Sequence, residues 1–338
     1  MEKNKQFTFF IFVLTIIVAG LFVYSLLFNI FLIANKPARQ SNPPLNSATL
    51  FTEPNDSRKK ILDGIDSAKQ SIEIEVYIFT DKDIFDALLN AKNRGVNVRV
   101  MLEENPYNSY GANKDMKDKL SHYGIDTKWS NRVYQYTHSK FLVIDKRTGY
   151  IMTLNLSKSA FTKNREFGVI TSDPATVSEL IKIFESDWAR KPYNPLDSPL
   201  VVSPENSRSK ISSLINSATY ELLIYDEEIQ CQAIEQLIEK KANQGVKVYV
   251  VVADPASVSF NKDIISEFKK YRINIKYVSS PFIHAKAVVV DNSKCFIGSV
   301  NLTDNSFDNN REVGIITTDP QIISSLRATF FSDFEKGS

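Results

Sequence analysis

Cysteine is nearly absent from this 338-residue chain: Cys231 and Cys295 are the only two. That excludes a disulfide framework, and their separation does not suit a metal site. Both read as small buried side chains. An excess of charge of one sign is missing too, since 41 basic and 39 acidic residues leave a net charge of +2. A strongly basic nucleic-acid binder is not indicated, although a local basic groove is compatible with that balance. Histidine is scarce, with three in all. What is plentiful is ordinary: 43% hydrophobic and 24% charged residues describe a globular chain with a good core. The length allows one large domain or two ordinary ones.

Long stretches without charge are confined to the N-terminus. Residues 7–34, "FTFFIFVLTIIVAGLFVYSLLFNIFLIA", carry none. A bilayer core needs roughly 20 apolar residues in a helix, and a signal-peptide core only about 7–15. An uncleaved single-pass anchor is therefore expected at 7–34, after a short tail at 1–6, with the remaining chain on the extracytoplasmic side. Pro, Asn and Ser mark a linker at 35–49 and a second at 191–199.

Each linker leads into the same unit, written twice along the chain. "PNDSRKKILDGIDSAKQSIEI" from Pro54 matches "PENSRSKISSLINSATYELLI" from Pro204 at an offset of 150 residues. From the histidines onward the offset is 146, and His138, Lys140, Asp145, Asn155, Arg165, Glu166, Asp173, Pro174 and Asp187 become His284, Lys286, Asp291, Asn301, Arg311, Glu312, Asp319, Pro320 and Asp333. Repeats this long are whole domains, and the expected boundaries are 50–190 and 200–338. Each half alternates helices with apolar strands. It opens on a Ser-capped helix at Ser57 or Ser207 and closes a later helix at Gly95 or Gly245. The class is α/β, two mixed sheets flanked by helices and packed face to face as a pseudo-two-fold pair.

Two of the three histidines open the same frame, "HSKFLVID" at His138 and "HAKAVVVD" at His284. Residues i and i+2 of a strand share a face roughly 6.6 Å apart, so an imidazole and an ammonium from one half can reach one anionic group. Asp145 and Asp291 end these strands and read as caps of the turns beyond them. Seventeen residues after each histidine stands Asn155 or Asn301, with Thr153 or Ser299 two before it; all four can donate to a phosphoryl oxygen. Glu166 and Glu312 stand 28 residues after the histidines, where a carboxylate could fix an imidazole tautomer. His122, in "SHYG", has no counterpart and reads as a solvated loop residue.

These residues resemble the phospholipase D superfamily, whose signature is His-x-Lys-x4-Asp followed by a Gly-Ser/Gly-x-Asn element. The likeness runs from about Ser57 to Phe334. It implies two lobes whose motifs meet at their interface, and phosphodiester chemistry through a phosphohistidine with no metal or other cofactor. The first-motif histidine, His138, is then the nucleophile and His284 the acid and base, with Lys140, Lys286 and the two asparagines around the phosphate. The second half keeps Gly298-Ser299, whereas the first has Met152-Thr153, and Met152 is expected to narrow the phosphate pocket.

Three functions are compatible with this set of residues. Hydrolysis or phosphatidyl transfer on glycerophospholipids, as in cardiolipin synthases, suits the anchor and is preferred. A membrane-anchored nuclease is the alternative, with Arg132 meeting phosphates and Tyr134 or Tyr136 stacking on bases. A scaffold without catalysis is the third, and the intact His/Lys pairs speak against it. The partners expected are thus a phospholipid or a nucleic acid and the membrane, with no obligate protein partner. The loops "ENPYNSYGANK" and "ADPASVSF" are expected to face substrate.

Overall fold

The computed structural model describes residues 48–54 and 57–338. The expected anchor at 7–34, the tail at 1–6 and most of the 35–49 linker lie outside the described residues. Among the described residues no helix is long and apolar enough to cross a membrane.

The first lobe runs β1 (Thr49–Glu53), α1 (Ser57–Ser67), β2 (Ser71–Val76), α2 (Lys82–Asn93), β3 (Asn97–Leu102), α3 (Lys114–His122), β4 (Asp126–Trp129), β5 (Lys140–Ile144), β6 (Thr148–Met152), α4 (Lys158–Thr162), β7 (Asn164–Thr171) and α5 (Pro174–Trp188). The second runs β8 (Leu200–Ser203), α6 (Ser207–Asn216), β9 (Glu221–Asp226), β10 (Ile229–Gln230), α7 (Gln232–Asn243), β11 (Lys247–Ala253), α8 (Asn261–Lys270), β12 (Asn274–Val278), β13 (Phe282–Ile283), β14 (Ala287–Val290), β15 (Lys294–Gly298), β16 (Leu302–Thr303), α9 (Asp304–Asp308), β17 (Glu312–Thr317) and α10 (Pro320–Lys336). The sheets are ordered β1-β7-β6-β5-β2-β3-β4 and β8-β17-β15-β14-β9-β11-β12, the same path twice. The duplication read from the sequence is thus a duplication of topology.

Local chemistry explains the elements. Asp173 and Asp319, the repeated Asp-Pro pairs, cap α5 and α10, accepting from the N–H groups of Thr176 and of Gln321 and Ile322, with proline at the first helical turn. Gly95 and Gly245, at φ of +90° and +88°, end α2 and α7 in the left-handed region. The expected serine cap fails for α6. Its cap position is Asn206, which makes no cap bond, and Ser207 is buried and donates to the Phe307 carbonyl oxygen.

The sheets bury both faces. On β5, Phe141 and Val143 join a core shared by both lobes, while Leu142 and Ile144 join the first lobe's outer core. On β14, Ala287 and Val289 face the shared core, and Val288 and Val290 the outer core of the second lobe. This period of two on continuous apolar runs is what a doubly covered strand requires. The 191–199 linker is itself anchored: Tyr193 is buried in the shared core and its hydroxyl donates to Glu179. Cys231 and Cys295 are buried thiols.

Two links stitch the lobes beside the motifs. The strand β13, just before His284, pairs in parallel with the start of β7 in the other lobe. Thr137, just before His138, makes a parallel bridge to Arg311. Each histidine is thereby seated on the opposite lobe, and its N–H donates to the carbonyl oxygen of Arg311 (His138, 2.8 Å) or Arg165 (His284, 3.3 Å).

Candidate active site

Both motifs lead into strands at the inter-lobe seam, and the glutamates they meet are not their own. Nδ1 of His138 lies 2.9 Å from Oε2 of Glu312, 174 residues away. Nδ1 of His284 lies 2.7 Å from Oε1 of Glu166, tighter in distance but less well aligned for a hydrogen bond. The pairing is crossed because β7 and β17 each begin beside the other lobe's histidine. Both carboxylates are fully buried. Burial alone would raise them, but His138 and Lys140 hold Glu312, and His284 and Lys286 hold Glu166, below the usual carboxylate range.

With Nδ1 facing a glutamate, Nε2 is the remaining nitrogen of each ring, and in His284 it has the Glu227 carboxylate 3.5 Å away. Burial pushes His138 down to about 4 despite Glu312, so this imidazole is neutral near pH 7. Both lysines are fully buried and donate to the carbonyl oxygen of their own histidine. Their electrostatics differ. Burial pushes Lys140 down to about 7, against Glu312 and with Lys286 adding to the fall. Lys286 is held above its ordinary value despite burial, by Glu227 first and then Glu166. That Lys140 responds to Lys286, and Glu227 to His138, shows that the two half-sites share one electrostatic volume.

The asparagines are available as donors. The Asn155 carboxamide oxygen accepts from the Ile78 N–H at 3.2 Å, which leaves its NH2 free to donate. Among the described residues the side chain of Asn301 has no hydrogen-bond partner.

Several expectations are corrected. Thr153 donates to Glu166 at 2.6 Å and accepts from the Phe167 N–H, so its hydroxyl proton orients a carboxylate and is not offered to phosphate. Ser299 is likewise buried, donating to the Val313 carbonyl and accepting from the Val313 N–H. Met152 does not reach the site; it is fully buried in the outer core of the first lobe. Gly298 at the matching position faces backbone, where an added Cβ would stand 2.3 Å from the Gly314 Cα. The two halves therefore differ in outer packing at this point. Asp145 and Asp291 are structural, as read, but cap the strand beside them: each accepts N–H bonds from three consecutive residues, Lys69–Ser71 and Thr219–Glu221. His122 is exposed but ends α3 and is not in a loop.

The aromatic loop before His138 is occupied structurally. The Tyr134 ring lies under the buried Arg311 guanidinium at 4.3 Å, and Tyr136 meets Tyr77 edge-on. Arg132 pairs with Glu104 at 2.7 Å. Of the two expected substrate loops, each is pinned by a buried asparagine. Asn113 donates to the main-chain oxygens of Tyr77 and Glu103, and Asn261 to those of Glu227 and Ala253.

Tyr77 and Glu227 are the residues that sequence reasoning missed. They occupy matching positions, 150 apart, just after β2 and β9. The Tyr77 ring stands edge-on to His138 at 4.6 Å, with the Lys140 ammonium 5.1 Å from its centre. Glu227 Oε2 lies 3.0 Å from Lys286 Nζ and 3.5 Å from His284 Nε2. Burial would raise this carboxyl, yet Lys286 and His284 bring it down to about 2. The repeat carried no signal here, because the halves already diverge at the neighbouring positions, Glu75/Tyr225, Val76/Asp226 and Ile78/Glu228.

Two duplicated α/β lobes that bring a His-x-Lys pair each to one seam, every imidazole backed by the other lobe's glutamate, define the phospholipase D class of phosphodiesterases. A family model described as "Cardiolipin synthase, PLD-like domain" matches residues 61–188 and 211–334, and the chain belongs to this family. It is 24% identical over 341 residues to a cardiolipin synthase of Clostridium perfringens, covering 86% of this chain and 71% of that protein. The major cardiolipin synthase ClsA of Bacillus subtilis is 23% identical, with coverages of 85% and 69%. Among solved structures, the phosphatidylserine synthase of Haemophilus influenzae shares the fold, at a TM-score of 0.69, 13% identity and 87% coverage of both chains.

Proposed function

We propose that this protein hydrolyses or transfers phosphatidyl groups of glycerophospholipids through a phosphohistidine on His138. The observation that carries the reading is the crossed histidine–glutamate pair around a shared lysine-rich volume. Neutral His138 attacks phosphorus from Nε2 while Glu312 holds Nδ1–H, forming a P–N bond as the P–O bond to the alcohol breaks. His284 protonates the leaving oxygen, then takes the proton of the incoming water or alcohol. Lys140, Lys286, Asn155 and Asn301 donate to the equatorial oxygens, a charge-stabilising role that in other phosphoryl transfers falls to metal ions.

Three features favour lipid over nucleic acid. The similar proteins are named cardiolipin synthases. Tyr134, the candidate base-stacking residue, is committed to Arg311. Exposed Tyr107, Tyr110 and Phe260 sit on the loops pinned to Tyr77 and Glu227, and aromatic side chains at such a rim suit a membrane–water interface. The uncharged run at 7–34 would keep the catalytic lobes near headgroups.

The test is the whole 338-residue chain in EDTA with phosphatidylglycerol/phosphatidylcholine mixed micelles and, separately, fluorescent single-stranded DNA. Headgroup release or a diphosphatidyl product supports the reading. Cleavage of DNA alone replaces lipid with nucleic acid as substrate, and inactivity on both favours the scaffold.

The same assay yields a pH dependence. The limbs of kcat/KM report free-enzyme groups. His138 is neutral above about 4, so activity persists into mild acid. Lys140 loses its proton through about 7, so kcat/KM falls on the alkaline side from there. The kcat limb lies higher, because a bound phosphate anion favours the ammonium. A kcat/KM flat from pH 6 to 9 would remove Lys140 from the phosphate cradle.

A further inference from the structure

Repetition makes the two histidines nominally interchangeable, and the structure breaks that symmetry at the positions directly beside the rings. Beside His138 stands a phenol ring, Tyr77; beside His284 stands a carboxylate, Glu227. His284 consequently has a carboxylate at each ring nitrogen, Glu166 at 2.7 Å from Nδ1 and Glu227 at 3.5 Å from Nε2. Among the described residues His138 has one, Glu312, at Nδ1. Glu227 is also the most accessible of these carboxylates, with 23% of its side chain exposed against none for Glu166 and Glu312. It is therefore the one of the three that reaches solvent.

We propose that Glu227 is a positioning residue that holds the proton of His284 at Nε2, aimed at the oxygen that leaves phosphorus, and so assigns the acid role to the second lobe. The inference rests on the phosphohistidine reading of the site. In the step concerned, His138 Nε2 bonds to phosphorus, the P–O electron pair departs with the alcohol oxygen, and the His284 Nε2 proton moves to that oxygen. Glu227 remains ionised throughout and keeps its contact with Lys286. In the second step the incoming hydroxyl gives its proton back to the same nitrogen as its oxygen bonds to phosphorus, and the P–N bond breaks with its electron pair returning to Nε2 of His138. The geometry supports this directly: one carboxylate oxygen touches both Lys286 Nζ and the reactive edge of the His284 ring. The loop that carries it is fixed, since Asn261 donates to the Glu227 carbonyl at 2.8 Å. The phenol of Tyr77 is held well above its ordinary range, chiefly by burial, and brings no charge to His138. Among the described residues no carboxylate is therefore paired with the reactive edge of the first-lobe ring.

A structural role and a proton-holding role separate on the leaving group. Nitrophenolate departs without a proton, whereas glycerol alkoxide needs one. The experiment compares Glu227→Gln with wild type on bis(p-nitrophenyl) phosphate, read as the pre-steady-state burst, and on phosphatidylglycerol, read as glycerol released in the first turnover. The expected result is a loss of about 100-fold on phosphatidylglycerol, the scale of a general-acid contribution, with the nitrophenolate burst reduced less than about threefold. Glu227→Tyr, which copies the first lobe, should behave like the glutamine variant. Equal losses on both substrates would overturn the proposal in favour of a structural role, and no loss on either would overturn it outright. His138→Asn in the same assays keeps the two levels apart. A burst that survives in that variant refutes the phosphohistidine on His138, whereas a lost burst with an indifferent Glu227→Gln refutes the role of Glu227 alone. Should wild type leave phosphatidylglycerol untouched, the lipid reading falls and this proposal with it.

Discussion

A His138→Asn enzyme is expected to lose phosphatidyl hydrolysis and transfer by about 10⁴-fold or more, because no other group can form the covalent intermediate. The side chain is 12% exposed at the seam, and asparagine retains a donor toward Glu312, so the melting temperature should hardly move. The crossed pairing sharpens the test. Glu312→Gln should act on the same step, by about 10³–10⁴-fold, as loss of the carboxylate behind a catalytic imidazole does elsewhere. Glu166→Gln should leave phosphorylation of His138 intact with an activated leaving group and slow the protonation that His284 performs. Quenched enzyme, digested and mapped for phosphohistidine by mass spectrometry, separates these cases. If Glu166→Gln rather than Glu312→Gln abolished the label on His138, the histidines would be served by their own lobes and the crossed arrangement would be wrong.

The second large effect concerns stability. Arg311 is fully buried, with Nε 2.8 Å from Asp187 and Nη1 2.7 Å from Glu205, and it also donates to the Ser203 carbonyl. Replacing it with methionine strands two carboxylates. Breaking one side of a buried ion pair costs about 3–5 kcal/mol, because the remaining charge stays out of water. For a domain of this size that corresponds to a fall of roughly 10 °C in melting temperature, measurable by calorimetry. Adding Asp187→Leu should recover part of the loss by removing the stranded charge. A single variant that melts with wild type would show that water or rearrangement satisfies Asp187. The network has a twin in Arg165, which pairs with Asp333 at 2.6 Å. Tyr225 completes that twin through its hydroxyl, 2.7 Å from Asp333. At the matching position of the first lobe stands Glu75, which burial first and Asp187 second push up to about 8, so that it too carries a proton. Arg165 and Arg311 also supply the carbonyls that seat the histidines, which ties stability of the seam to placement of the catalytic rings.

The repeat, the element pattern and the paired motifs were legible in the chain because each depends on neighbours within one half. A strand buried on both faces, such as β5 with Phe141 to Ile144, must be apolar throughout, and the left-handed helix ends at Gly95 and Gly245 admit glycine at no steric cost. The repeated Asp173-Pro174 and Asp319-Pro320 pairs are read by the same local rules as helix starts. Spacing likewise brought His138, Lys140, Asn155 and Glu166 forward as one set, and His284, Lys286, Asn301 and Glu312 as another. It could not say which glutamate meets which histidine, since that contact spans 174 residues and depends on how two sheets pack. Nor could it show that Thr153 orients Glu166, that Met152 turns into the outer core, or that Tyr134 is spent on Arg311. Glu227 escaped for the same reason: its meaning lies in the 3.0 and 3.5 Å that separate it from Lys286 and His284, and only the folded second lobe brings those atoms together. The chain by itself determined that there are two half-sites and brought forward the histidine, lysine, asparagine and glutamate of each. The tertiary structure alone decided that each is completed by the other, because side chains far apart in sequence become partners only where sheet packing closes the seam.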